Sequence, residues 1–226
     1  MSKSVGKTST VEAEASTKRE QILTAASRVF LTQGYRGTSM EMVAKESGAG
    51  RQTVYNQFAS KKALFDDTLA LLWEKMSVDR IVSRTGSDRS PEEALLEIGN
   101  AIADFWVPEN TVAFLRMVIA ESIHFPELAD SFFTFGQGAA RRAVTEYLSM
   151  LRETRALEVL DPELAAAQFI GLVNEPLLSS RVVDGGKAPS TVRRRRVVHE
   201  AVRTFLARYG TDKHSASPRH GSEPRR

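Results

Sequence analysis

Between Thr17 and Tyr209 the apolar residues of this chain recur at helical spacing, and no segment alternates at the two-residue period of a half-buried strand. That periodicity predicts an all-α fold of about nine helices. With 226 residues, 42% of them hydrophobic, the chain is long enough to bury a core. Ile22, Ala26, Val29 and Phe30, at i, i+4, i+7 and i+8, give a first helix over 18–33 one buried face. Gly34 is suited to end it in the left-handed conformation. Thr38 with Glu41 three residues on reads as a capping box and opens a short helix to about Glu46. Gly48 breaks that helix, a second short one covers 51–58, and Ser60 caps a longer one starting at Lys61. Its stripe of Phe65, Leu69, Leu72, Trp73 and Met76 continues past the compact head.

Punctuation divides the remainder. Residues 83–90 read as a linker, and Pro91-Glu92-Glu93 as a proline-initiated helix start. Pro108-Glu109, Pro126-Glu127 and Pro162-Glu163 repeat that signal, with the acid favoured by the helix dipole. Residues 182–190, with Gly185, Gly186 and Pro189, separate the last two helices, and Pro176 is expected to kink or end the first of them. Polar stretches without apolar period at 1–16 and 210–226 are expected to be disordered arms. They flank a head at 17–65 and a helical body at 66–209.

Charge is unevenly spread. Residues 17–65 carry 8 lysines and arginines against 3 acids, 66–186 carry 10 against 20, and 187–226 carry 11 against 3. Basic segments around an acidic body suit a chain that meets a polyanion with particular surfaces. The absence of cysteine excludes disulfides, thiolate metal sites and a cysteine nucleophile. The N-terminus lacks the apolar stretch of a signal peptide and no run is long enough to span a bilayer, so a cytoplasmic protein with no membrane partner is expected.

Enzyme signatures are missing. Glu121 and His124 form a single E-x-x-H pair, where helical carboxylate-bridged metal sites need two. Gly48 and Gly50 precede a helix, but no strand precedes them and a third glycine is lacking. No catalytic residue, metal ligand or cofactor is therefore assigned. A helical enzyme and an effector-independent architectural DNA-binding protein stand as the rival readings.

Two short helices around the Ser47-Gly48-Ala49 turn make the unit that seats a recognition helix in the major groove. Ala44 is small where the helices cross, Gly48 supplies positive φ, and Val54 and Phe58 point inward. Arg51, Gln52, Thr53, Tyr55 and Asn56 crowd the outer face, and no Asp or Glu occurs between Ser47 and Ser60. Arginine and amide side chains make paired bonds to purine edges, whereas hydroxyls and a helix N-terminus suit phosphates.

Thr38-Ser39, the run from Ser47 to Phe58 and Ser60-Lys61-Lys62-Ala63-Leu64-Phe65 resemble the N-terminal domain of TetR-family regulators, continuously over about 17–70. The resemblance implies a three-helix DNA-binding head on a helical ligand-binding and dimerisation body. It implies DNA contacts at Thr38, Ser39, Arg51, Gln52, Thr53, Tyr55, Asn56 and Lys61. Gln52 stands where many members carry glycine, so base preference does not transfer. Phe125-Pro126-Glu127-Leu128 and the run from Asp161 to Ala166 look similar to a multidrug-efflux-associated subgroup. Together these imply a ligand-responsive regulator, expected to be a repressor, that binds a palindromic double-stranded operator as a homodimer and is released by a small apolar or amphipathic effector.

In the body, Phe105, Trp106, Phe114, Met117, Phe132, Phe133, Phe135, Phe169 and Leu172 provide an aromatic-rich lining suited to an apolar pocket. His124, Gln137, Asn174 and Glu175 are its candidate polar anchors. The stripes Leu164, Gln168, Phe169, Leu172 and Val173, and Val198, Ala201, Val202, Phe205 and Tyr209, are expected to form the dimer interface. Arg193 to Arg196 circle the helix and read as its solvated start.

Overall fold

The computed structural model describes residues 5–74, 76, 78–84 and 89–211. The arm at 1–4, the middle of the expected linker at 85–88 and the tail from 212 lie outside the described residues. Among those described there are eleven α-helices, one π-helical turn and an isolated bridge between Leu157 and Gly210. The two helices beyond the expected nine are accounted for by α5 (Val78–Arg84) and α8 (Glu127–Ser131), which are too short to display an apolar repeat.

Helix α1 (Val5–Gly37) begins well before Lys18, running through residues 5–16. Ala and Glu between Val11 and Ala15 are strong helix formers, which outweighs the missing apolar face. Gly34 interrupts α1 at φ 71°, ψ 171°, and a last turn follows it. Next come α2 (Met40–Ser47), α3 (Arg51–Gln57) and α4 (Lys61–Glu74). The expected long helix stops at Glu74, and Met76 lies buried in the turn before α5. The others are α6 (Pro91–Phe105), α7 (Glu109–Glu121), α9 (Gly138–Glu153), α10 (Pro162–Asp184) and α11 (Thr191–Tyr209). The π-helical turn Phe132–Gln137 joins α8 to α9. Pro176 neither ends nor divides α10, which continues to Asp184. Ser190 caps α11 by accepting from the Arg193 N–H at 3.2 Å.

Packing sorts the chain into two compact units. The first comprises residues up to Ser77 with Phe105–Ala139 and Ser180–Ala188. Its core is aromatic: Phe30, Tyr35 and Phe65 meet at 5.3–5.9 Å, and Phe114 stacks on Phe65 at 5.5 Å. Phe114 thus belongs to this aromatic core. The second unit comprises Val78–Asp104, Ala140–Ser179 and the residues from Pro189. There Phe169 meets Phe205 at 5.3 Å, and a Cβ at Gly99 would stand 2.8 Å from Val198 Cγ1, a measure of how closely α6 and α11 approach.

That second core takes in part of the expected interface. Val173, Val198 and Val202 are enclosed within their own chain, and Ala201, Phe205 and Tyr209 are buried with them. An apolar stripe reports that a face is covered; for Val173, Val198 and Val202 the cover comes from the same chain, whereas Ala201, Phe205 and Tyr209 also border surface grooves. Leu164 and Gln168 remain exposed, Gln168 accepting from the Tyr209 hydroxyl at 2.5 Å.

A candidate nucleic-acid interface

The head is assembled around its turn. Val43, Ala44, Val54 and Phe58 are buried, holding α3 across α2. Gly48 closes α2 with φ 68°, and its N–H donates to the Lys45 carbonyl. The cap of α2 falls one residue later than expected. Ser39 Oγ accepts from the Met42 N–H at 3.3 Å, while the buried Thr38 donates its hydroxyl to the Gly34 carbonyl at 2.6 Å. Thr38 is therefore an internal tie and forms no capping box with Glu41, whose carboxyl bonds the Ser39 side chain. The Tyr55 hydroxyl donates to Glu41 Oε1 at 2.7 Å. That bond lowers the Glu41 carboxyl below its ordinary value and raises the Tyr55 phenol above its own.

Arg51, Gln52, Tyr55 and Asn56 are exposed along α3, and Thr53 is half-buried. Gln52 Nε2 donates to Asn56 Oδ1 at 2.9 Å, a pairing across one helical turn. The two amides therefore reach outward as one unit. Seven-residue α3 has no acid, so its exposed face offers donors, acceptors and one cation to whatever approaches.

Lys61 behaves otherwise. Its ammonium donates to the carbonyls of Tyr35 at 2.8 Å, Arg36 at 3.3 Å and Thr38 at 3.0 Å, and sits 4.7 Å above the Tyr35 ring. All three N–H donors are spent on the end of α1 and the Thr38 carbonyl just after it. Lys62 is likewise committed to Asp66 and Ser131. Glu121, at the end of α7, accepts from the backbone N–H groups of Tyr35 and Arg36, both at 2.8 Å. Gly34 is needed there twice over: its φ is positive, and a Cβ would lie 2.3 Å from a Glu121 oxygen. Sequence reasoning placed Glu121 only in a candidate metal pair, because nothing local signals an acceptor for backbone groups 85 residues away. Burial, then the charges of Glu127, Asp66 and Glu121, push the Tyr35 phenol up to about 12.

The pocket candidates do not share one setting. Phe105 and Trp106 are buried in the first unit, Met117 is half-buried, and His124, Phe133 and Phe135 are exposed, so His124 is not an inward anchor. The Gln137 side chain lies outside the described residues. In the second unit Phe169 is core, the half-buried Asn174 leaves its Oδ1 without a partner, and Leu172 and Glu175 line a surface groove. No helix among the described residues is long and apolar enough to cross a membrane.

A recognition helix with an exposed, acid-free polar face, locked on a short partner across a glycine turn, defines a helix-turn-helix DNA-binding protein. Residues 22–68 match the profile of bacterial regulatory proteins of the tetR family, and residues 93–211 match that of the AefR-like transcriptional repressor C-terminal domain. The chain belongs to the TetR family of transcriptional regulators and is not an enzyme. The transcriptional repressor NicS of Pseudomonas putida is 27% identical over 167 residues, covering 73% of this chain and 69% of that one. The uncharacterised regulator YhgD of Bacillus subtilis is 37% identical over 59 residues, spanning 26% of this chain and only 31% of YhgD. Among solved structures, the flavonoid-responsive regulator FrrA is 30% identical with a TM-score of 0.69, covering 87% of this chain and 99% of its own. A TetR-family regulator from Mesorhizobium loti shares the fold at a TM-score of 0.77 and 24% identity, covering 87% and 98%.

Proposed function

We propose that this regulator is a repressor that binds a palindromic operator as a homodimer and leaves it when a small apolar or amphipathic effector binds the body. The observation that carries the DNA half is the exposed face of α3, where Arg51, Gln52, Tyr55 and Asn56 project without an acid among them. The head at 17–65 reads the operator in the cytoplasm, and the body at 66–209 binds effector and partner. NicS is described as a repressor and FrrA as flavonoid-responsive, which supports both the sign of control and a small-molecule signal.

For the dimer, support comes from what the second core leaves outside. A groove of about 630 Å³ lined by Leu172, Pro176, Val192, Val197, Ala201 and Thr204 adjoins one of about 510 Å³ lined by Gln168, Gly171, Glu175, Phe205, Arg208 and Tyr209. Apolar floor and mixed charge on one face suit a self-complementary, two-fold contact. Thr204→Arg is expected to weaken the dimer at least about tenfold, or 1.4 kcal/mol, in sedimentation measurements.

Selecting binding sites from random double-stranded DNA tests the whole reading. A dyad with half-sites about one turn apart, ~34 Å, or a multiple of it, is the expected product. Enrichment of no symmetric sequence would overturn it. Ligand release requires tighter effector binding to the off-operator state, since coupling between two sites is reciprocal.

A further inference from the structure

Trp73 and Trp106 are the only tryptophans in the chain, and the first unit brings them together. Their rings meet edge to face at 6.0 Å, Phe105 lies 4.8 Å from one and 4.9 Å from the other, and Phe132 lies 5.1 Å from Trp73. Both indoles are more than nine-tenths buried, and neither Nε1 has an acceptor within reach. Buried N–H groups are nearly always paired, because an unpaired one loses its bond to water and gains nothing. Two in one aromatic cluster mark a place built for oxygen atoms that the chain does not itself provide.

The charge beside them has the same sense. Arg181 is 3% exposed, and its guanidinium donates to the carbonyls of Trp106, Val107 and Gly186, with no carboxylate among its partners. A buried cation held only by carbonyl dipoles favours an anionic neighbour. One wall of the cluster is adaptable: Phe132 opens the π-helical turn, and the next residue, Phe133, is 61% exposed with its ring 5.6 Å away. Such irregular turns recur at functional sites.

We infer that this tryptophan box is the effector site, and that it takes a flat aromatic molecule bearing an anionic oxygen, a carboxylate or phenolate. The indole N–H groups donate to that oxygen, Phe105 and Phe132 cover the ring, and Arg181 supplies positive potential. Phe132 swings outward with its π-helical turn to admit the ligand. The inference rests on the effector-responsive reading above and specifies its chemistry.

Two tryptophans give two indole N–H signals, so the ¹⁵N-labelled full chain reports on the box directly. Titrations with 2-naphthoate, 2-naphthol and naphthalene hold the ring constant and vary only the oxygen. Naphthoate should move both indole signals downfield to saturation and bind at least about tenfold more tightly than naphthalene, with naphthol between them. Trp73→Phe and Trp106→Phe should each cost naphthoate about tenfold and naphthalene little, with circular dichroism reporting that the variants fold. Equal affinity for naphthoate and naphthalene, stationary indole signals, or no binding by any of the three overturns the site, and these arms need no variant. Operator retention is read in the same samples. Release of operator with stationary indoles overturns the site and leaves effector control standing, whereas saturating indole shifts with operator retained uphold the site and overturn the switch.

Discussion

In α3 the residues that set its role are those left outside: Arg51, Gln52, Tyr55 and Asn56 are exposed while Val54 alone is buried within the helix. In α10 and α11 the regular residues are the ones enclosed, and Phe169, Val173, Val198 and Phe205 are buried by their own chain. Polar residues on a helix state what the helix offers to a partner. Apolar residues state only that something covers them, and they are silent about whether the cover belongs to the same chain.

The sharpest way to break that contrast is Phe205→Ala. A core role predicts a loss of about 3–5 kcal/mol in denaturant unfolding. An interface role would instead weaken association and spare the protomer. Lys61→Met tests the boundary between the two kinds of residue. Its bonds to three carbonyls predict a stability loss of about 1.5–3 kcal/mol in thermal or urea melts. A lysine reserved for phosphate would leave the melt unchanged and lower operator affinity alone. Arg51→Ala should do the reverse of Lys61→Met: operator binding falls by about 1–3 kcal/mol with relaxed base preference, and the melting temperature stays put.

The smallest effect concerns Glu41. Because the Tyr55 bond lowers its carboxyl, the carboxylate-dependent contact is complete above the ordinary glutamate range. It is lost only as pH falls through the lowered value. Tyr55 ring resonances should therefore titrate below the usual glutamate range, and Glu41→Gln should flatten that curve. Titration at an ordinary glutamate pH would mean that the contact does not persist in solution.

Much of the fold was legible because helices are local. Gly34, Gly48, Ser60, Pro91 and Ser190 each act within a turn of their own position, and each marks a boundary or break in the structure. The capping box failed by one residue because Thr38 and Ser39 are both competent caps, and only burial against the end of α1 removes Thr38 from the choice. Pro176 does not end its helix, because a proline costs one internal bond and α10 continues to Asp184 with that bond missing.

By itself, then, the sequence determined the all-helical architecture, the positions of its short head helices and the polar face of α3, since periodicity, capping and acid exclusion are properties of neighbouring residues. Tertiary structure alone decided the rest. It turned Lys61 and Glu121 into ties on the backbone of Tyr35 and Arg36, enclosed the α10 and α11 stripes within their own chain, and set Trp73 beside Trp106. Those outcomes depend on groups far apart in the chain competing for the same donors, acceptors and apolar surface. That competition is settled only when the chain is folded.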